Sequence, residues 1–296
     1  MKAITTNHLA KYYGKSRGIV DISFSVDEGD FFGFIGSNGA GKSTTIRILL
    51  GLITATSGLA EIFGQDVKKH KTSILRKIGY MPSEASLYSS MRVKDIICLS
   101  AGLRKMDCKA EAQKLCNRLE LDTSKKIREL SLGNRKKVCI VCAMQHKPEL
   151  YILDEPASGL DPLMQHEFYS ILKERNKEGA TIFLSSHILS EIQRYCKHAA
   201  IIREGKLLLS DSVERLGHTG VKRITLQGVD SIPRLEHIKD VKAEQGTISF
   251  LYSGEPVLLL KALSILPITD ITVTEPDLEE VFMHYYAKEK DGYGNI

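Results

Sequence analysis

No stretch of this 296-residue chain approaches the ~20 consecutive apolar residues needed to cross a bilayer. A spanning helix of its own is therefore not expected. A basic-then-apolar leader is also missing after Met1, so secretion is not expected. The net charge of +5 is mild, and the basic residues are scattered rather than gathered into a stripe. That pattern reads as a solvated surface, and no nucleic-acid partner is expected from it. Six cysteines lie at irregular spacing. Cys139 and Cys142 form one C-x-x-C pair, but no second pair follows at zinc-site spacing. The run Val138-Cys139-Ile140-Val141-Cys142-Ala143 reads instead as a buried helix, and reduced thiols fit a cytoplasmic protein. Internal repeats and low-complexity tracts are lacking too. What remains is ordinary for a globular chain: 43% hydrophobic and 26% charged residues, with length enough for two domains.

The first ~215 residues alternate strand-like and helix-like segments. Ile19 to Val26 alternates apolar and polar residues as a strand does, and Asp27 to Asp30 reads as a turn. Leu150 to Leu153 and Thr181 to Leu184 are short apolar runs of strand length. Between them, His166 to Lys177 places Phe168, Ile171 and Leu172 at helical spacing. The alternation predicts an α/β fold with a mainly parallel sheet. Met91 to Leu130 is mostly helical in pattern, which predicts a separate helical lobe over about 85–145. After the run at 217–220 the character changes. Val221 to Gln227, Thr247 to Tyr252 and Ile268 to Thr274 read as strands, and Pro256 to Leu266 and Pro276 to Lys288 as helices. Two domains are expected, 1–215 and a small α+β unit over 221–296.

The most informative run is Gly36 to Thr44, GSNGAGKST, which fits the P-loop pattern G-x-x-x-x-G-K-[ST]. Glycines let consecutive N–H groups point into one concavity that holds phosphate oxygens. Lys42 supplies a point charge for the outer phosphates, and Ser43 a hydroxyl for magnesium. Phe31 to Ile35 has strand character, and Thr44 to Leu50 is apolar at helical spacing, so phosphate would sit at a helix amino end. These flanks argue against the bland alternative of a Gly-rich surface turn. Candidate nucleotide contacts are therefore Ser37, Asn38, Gly39, Ala40, Gly41, Lys42, Ser43 and Thr44.

Further along, Tyr151-Ile152-Leu153-Asp154-Glu155-Pro156 is an apolar strand ending in two carboxylates. Alone it is an unremarkable strand leaving a core. Behind a P-loop, Asp154 can support magnesium and Glu155 can polarise a water facing the γ-phosphate. Between the two lies Leu130-Ser131-Leu132-Gly133-Asn134, and after them come Ser158-Gly159-Leu160-Asp161 and Ser185-Ser186-His187.

In this order and spacing the chain resembles an ATP-binding cassette ATPase over residues 1 to about 215. The resemblance implies a P-loop NTPase of that type, with a mainly parallel core sheet, N-terminal antiparallel strands and a helical subdomain, ahead of the small C-terminal α+β domain read above. It implies ATP bound between two head-to-tail subunits, with Ser131 and Gly133 of one facing the P-loop of the other. Glu155 resembles the residue that activates the attacking water, and His187 the switch histidine at the γ-phosphate. Asp161 resembles the aspartate that links the two sites, and Tyr13, in Leu9 to Gly14, the aromatic residue that stacks on adenine. An ordinary edge-strand tyrosine and a satisfied polar histidine remain the plain alternatives at Tyr13 and His187.

Two departures stand out. The family's Leu-Ser-Gly-Gly-Gln is here Leu130-Ser131-Leu132-Gly133-Asn134, with a bulkier third residue and a shorter fifth. In Gly79-Tyr80-Met81-Pro82-Ser83-Glu84, Ser83 stands where most relatives carry a glutamine beside the metal. Its hydroxyl is a candidate metal ligand, with Glu84 the substitute. Thr274 to Phe282 resembles the C-terminal element of cassette ATPases serving drug and bacteriocin exporters. The implied function is an ATP hydrolase using ATP and magnesium. It would sit at the cytoplasmic face of the membrane and drive a separate integral permease, with a second ATPase subunit as partner. The alternative is a cassette ATPase acting on nucleic acid or ribosomes. Against it stand a single P-loop, no sustained heptads and no zinc spacing.

Overall fold

The computed structural model describes residues 1–84, 86–217, 221–229, 231–232, 235–244 and 246–274. The chain divides into two units, Met1–Asp211 and Ser212–Ile296.

The first unit opens with β1 (Lys2–Tyr13) and β2 (Ser16–Asp27), followed by β3 (Phe31–Ile35) and α1 (Lys42–Leu49). Next come β4 (Ser57–Ile62), β5 (Gln65–Asp66), α2 (Lys71–Arg76) and β6 (Ile78–Met81). A helical stretch follows: α3 (Val93–Arg104), α4 (Lys109–Arg118) and α5 (Leu132–Met144). The chain returns through β7 (Leu150–Asp154), α6 (Pro162–Lys177), β8 (Thr181–Ser186), α7 (Leu189–Tyr195), β9 (His198–Arg203) and β10 (Lys206–Ser212).

These strands make two sheets. One, in the order β2-β1-β4-β5, is antiparallel. The other runs β10-β9-β3-β8-β7-β6, with β9, β3, β8, β7 and β6 all parallel. The α/β class, the parallel core sheet and the N-terminal antiparallel strands follow the sequence expectation. β3, β7 and β8 are buried along their whole length, as parallel strands covered on both faces must be. Phe24 of β2 stacks on Phe32 and Phe34 of β3 and on Phe183 of β8, with ring centroids 5.4 to 5.9 Å apart. This stack fastens the antiparallel sheet to the core sheet. α1 adds Ile46, Ile48 and Leu49 to the same cluster, so the helix that follows the P-loop is itself core.

α3 and α4 both pack on α5. α5 is buried through much of its length, from Lys136 to Val141, and its apolar residues face both the helical lobe and β6. Cys139 is buried in it and Cys142 half-buried, and burial pushes both thiols up, to about 11 and about 12. Both are thus poor ligands and poor nucleophiles.

The second unit holds α8 (Val213–Gly217) and an antiparallel sheet of β11 (Lys222–Gln227), β12 (Ile238–Glu244), β13 (Thr247–Tyr252) and β14 (Asp270–Thr274). Its strand order is β12-β13-β11-β14, and α9 (Pro256–Leu263) covers one face through Leu259 and Leu263. The expected helix over Pro276 to Lys288, with its stripe of Leu278, Val281, Phe282 and Tyr285, lies outside the described residues.

Candidate functional site

The site is built on the carboxyl ends of β3, β7 and β8. Gly36 to Gly41 leave β3 and turn into α1. Two of the glycines are sterically required. A Cβ at Gly36 would lie 2.4 Å from the Ile202 carbonyl oxygen. Gly41 has φ 110°, and a Cβ there would lie 2.7 Å from Ile19. The loop is pinned by Gly36 N–H donating to Ser186 O (3.3 Å), by Ala40 N–H donating to Ser37 O (3.1 Å), and by Gly205 N–H donating to Ala40 O (2.8 Å). Ser37, Asn38 and Gly39 are exposed at the rim, while Ala40 is buried. Gly41 precedes α1 with no side-chain cap. The first-turn amides of Lys42, Ser43 and Thr44 thus sit at an uncapped helix amino end, which favours an anion.

Lys42 is 5% exposed. Its Nζ donates to Gly36 O (2.6 Å) and Ser37 O (3.2 Å) and pairs with Glu155 Oε1 at 3.1 Å. The other Glu155 oxygen, Oε2, lies 3.1 Å from His187 Nδ1. Lys42 and His187, one before and one after Glu155 in the chain, thus meet through one carboxylate, which is itself 19% exposed. Glu155 follows β7 with φ 47°, an uncommon value for a side-chain-bearing residue, and this turn aims its carboxylate at Lys42. Its own N–H is shared between Ser185 O (3.2 Å) and Ser185 Oγ (3.1 Å). His187 is 42% exposed, and the segment around it is fixed by Ser186. Ser186 Oγ accepts the Ile188 N–H (2.9 Å) and donates to Glu191 (2.7 Å).

Asp154 is buried at the end of β7 and accepts a 2.6 Å hydrogen bond from Ser185 Oγ. Ser185 therefore serves both acidic residues: its hydroxyl donates to the Asp154 carboxylate and accepts from the Glu155 main-chain N–H. Burial, together with the Asp154 charge, pushes the nearby Tyr80 phenol up. Ser83 follows β6, half-buried; its carbonyl accepts from Lys136 Nζ (3.0 Å). Ser43 stands half-buried in the first turn of α1. From sequence, Ser185 was named only as part of the run that ends at His187, with no role of its own, and Lys136 was not singled out.

The remaining expected residues take positions of their own. Tyr13 ends β1, half exposed, with Lys11 Nζ 5.4 Å from its ring centroid. It reaches the P-loop region through Gly18. A Cβ at Gly18 would touch the Tyr13 ring at 2.9 Å, and Gly18 O lies 3.2 Å from a Cβ at Gly41. Ser131 caps α5, its Oγ accepting the Asn134 N–H (3.3 Å). α5 begins at Leu132, so the altered signature starts the helix at its third residue. Gly133 packs against Gly159, where a Cβ would lie 2.9 Å from the Gly159 carbonyl oxygen. Asp161 caps α6, accepting the Met164 N–H (3.0 Å) ahead of Pro162. Among the described residues, no hydrogen bond joins Ser131, Gly133 or Asp161 to Lys42 or Glu155 of the same chain.

The ABC transporter family profile matches residues 19–158. The bacitracin transport ATP-binding protein BcrA of Bacillus licheniformis is 37% identical over 95% of this chain and 96% of its own length. This chain belongs to the ATP-binding cassette transporter ATPases. The linearmycin resistance ATP-binding protein LnrL of Bacillus subtilis is 30% identical over 95% of the chain and 97% of its own length. Among solved structures, an ATP-binding subunit of an ABC transporter superposes with a TM-score of 0.67 at 32% identity, covering 72% of this chain and 91% of that one. As a cassette ATPase, the chain binds ATP and hydrolyses it to power transport. Among the described residues no helix is long and apolar enough to cross a membrane.

Proposed function

We propose that this cassette ATPase energises an exporter, as one of two head-to-tail subunits docked on an integral membrane permease at its cytoplasmic face. The observation that carries the reading is the convergence of Lys42 and His187 on the two oxygens of Glu155. ATP is held by the Gly36–Gly41 amides, the amino end of α1 and Lys42, with Tyr13 against the adenine. The γ-phosphate takes over the Lys42 ammonium, which releases Glu155. The freed carboxylate orients a water and accepts its proton as oxygen attacks the γ-phosphorus, while His187 donates to a γ-phosphate oxygen. ADP leaves with the broken phosphoanhydride oxygen. Phosphoryl transfer of this kind is governed by positioning and charge.

Oxygen donors of the kind a hard divalent cation takes are the Ser43 hydroxyl in the first turn of α1, the Asp154 carboxylate held by Ser185, and the Ser83 hydroxyl in the loop after β6. Magnesium, when bound, supplies charge neutralisation to the β- and γ-phosphates. Ser131, Gly133 and Asp161 serve the nucleotide held by the second subunit; among the described residues none of them is hydrogen-bonded to Lys42 or Glu155 of its own chain. Closure of the dimer on ATP, and opening after hydrolysis, is the motion passed to the permease. The outward direction is supported by relatives named for bacitracin transport and linearmycin resistance. The domain division follows: the ATPase within 1–215, and an accessory unit over 221–296. The test is affinity capture of the tagged chain from detergent-solubilised membranes. A co-purifying multi-span protein that raises the ATPase rate is expected. Capture of ribosomal or nucleic-acid complexes instead overturns the transporter assignment.

A further inference from the structure

Lys136 lies in the second turn of α5, five residues after Ser131, and is 3% exposed. A lysine is rarely buried so fully unless it is paired. This one spends its donors on main-chain oxygens: Nζ donates to Ser83 O at 3.0 Å and to Glu155 O at 2.8 Å. Both acceptors sit in loops that leave the core sheet at the site, after β6 and after β7. Burial lowers the ammonium's pKa, while Cys139, Glu155 and Asp154 nearby favour its charge. An apolar side chain of similar length would fill the same space without that desolvation cost.

Glu155 is the residue for which such a contact matters. Its φ of 47° needs support from its surroundings. Ser185 holds its N–H from one side, and Lys136 holds its carbonyl from the other. With both ends of the residue fixed, the side chain aims at Lys42 and His187. Lys136 also belongs to the helix that Ser131 caps, so one rigid element carries both the cap residue and the ammonium.

We infer that Lys136 is a positioning residue: it fixes the Glu155 main chain and ties it to the Ser83 loop, so that the aim of the Glu155 carboxylate is set by α5. The inference rests on the proposed role of Glu155 in activating water. It predicts that hydrolysis depends on the Lys136 ammonium far more than ATP binding does, because the contacts to Lys42 and the P-loop amides remain.

The test is a double-mutant cycle on the full chain, using Lys136→Met, Glu155→Gln and the pair. ATP affinity is read by fluorescent-nucleotide titration, and kcat and KM by phosphate release. Lys136→Met is expected to lower kcat by ~10-fold or more, the scale of a misplaced catalytic group, with affinity changed less than ~3-fold. Lys136→Gln, which keeps N–H donors on a chain one atom shorter, should recover part of the loss. In the Glu155→Gln background, adding Lys136→Met should lower the residual rate less than about twofold. Parental kcat in Lys136→Met, or the same fold loss in both backgrounds, overturns the inference while leaving the role of Glu155 standing. A parental rate in Glu155→Gln alone removes that role, and the inference falls with it. Should Lys136→Met fail to fold, Lys136→Leu, which also lacks a donor, takes its place in the cycle under the same criteria.

Discussion

Replacing Glu155 by glutamine removes one negative charge from the centre of the site and leaves its shape intact. Glu155 Oε1 stands 3.1 Å from Lys42 Nζ, and both side chains are largely buried. At an effective dielectric of ~20, such a contact carries roughly 5 kcal/mol of Coulomb attraction before desolvation is charged against it. ATP must compete for the same ammonium, and its γ-phosphate must enter beside the carboxylate. In Glu155→Gln both obstacles weaken. ATP affinity is therefore expected to stay level or to tighten by up to ~10-fold, which is about 1.4 kcal/mol. Hydrolysis moves the other way. Loss of a positioned base or charge costs ~100-fold or more in kcat, about 2.7 kcal/mol. The uncoupling of binding from turnover should trap a closed dimer, visible by size-exclusion chromatography with ATP. Phosphate release gives the rate, and a fluorescent-nucleotide titration gives the affinity. If Glu155→Gln hydrolyses ATP at the parental rate and stays monomeric with ATP, the assignment is wrong, and Glu84 becomes the first alternative.

Other expectations bear on separate parts of the structure. Lys42→Ala should remove most triphosphate affinity and activity, and a parental hydrolysis rate in that variant would refute the P-loop reading. Ser131→Arg should leave nucleotide binding to single subunits unchanged but abolish hydrolysis and ATP-dependent dimerisation. Mixed with Lys42→Ala, it should regain part of the activity, because one composite site stays intact; full activity of Ser131→Arg alone would sink the head-to-tail arrangement. His146 is buried, its Nε2 3.2 Å from Ile78 O, and burial with Arg104 nearby pushes its pKa down to about 4. The unfolded imidazole takes up a proton below about 6.5 and the folded one does not, so this stabilisation is present above about 6.5 and is lost as pH falls toward 4. The full span amounts to roughly 3 kcal/mol, and His146→Gln should flatten the fall in urea midpoint between pH 7 and pH 5. An unchanged slope in that variant would show that other groups set the acid limit.

The P-loop was legible because its requirement is local. Gly36 and Gly41 answer to backbone geometry within a few residues, and Lys42 to the glycine before it. β3, β7 and β8 were legible for a similar reason: strands buried on both faces read as continuous apolar runs. β1 was harder. Its alternation breaks where His8 takes φ 47° opposite Asp21 at φ 54°, with His8 Nδ1 2.6 Å from Asp21 Oδ1, so no single period runs through it. β4, β5, β6, β9, β10 and β12 were not picked out either, β12 because every residue in it is exposed or half-exposed. Inside the site, Ser185 and Lys136 had no local signal at all. Ser185 acts on residues 30 and 31 positions earlier in the chain, and Lys136 on one 53 positions earlier and one 19 later. Lys136 stands in the polar stretch Asn134-Arg135-Lys136-Lys137 at the head of α5, where nothing local sets it apart from a solvated turn.

The caps at Ser131 and Asp161 have a consequence for how natural variation at these positions reads. Each oxygen already has a helical duty, to the amide of Asn134 or of Met164. For that duty Ser, Asp and Asn are nearly interchangeable, and Thr is close behind. Drift among strains under the folding requirement alone would therefore scatter residue 131 across those four types. A saturation library scored for abundance should show that scatter, and one scored for ATP hydrolysis should not. The gap between the two profiles isolates the requirement of the proposed nucleotide contact from the requirement of the helix.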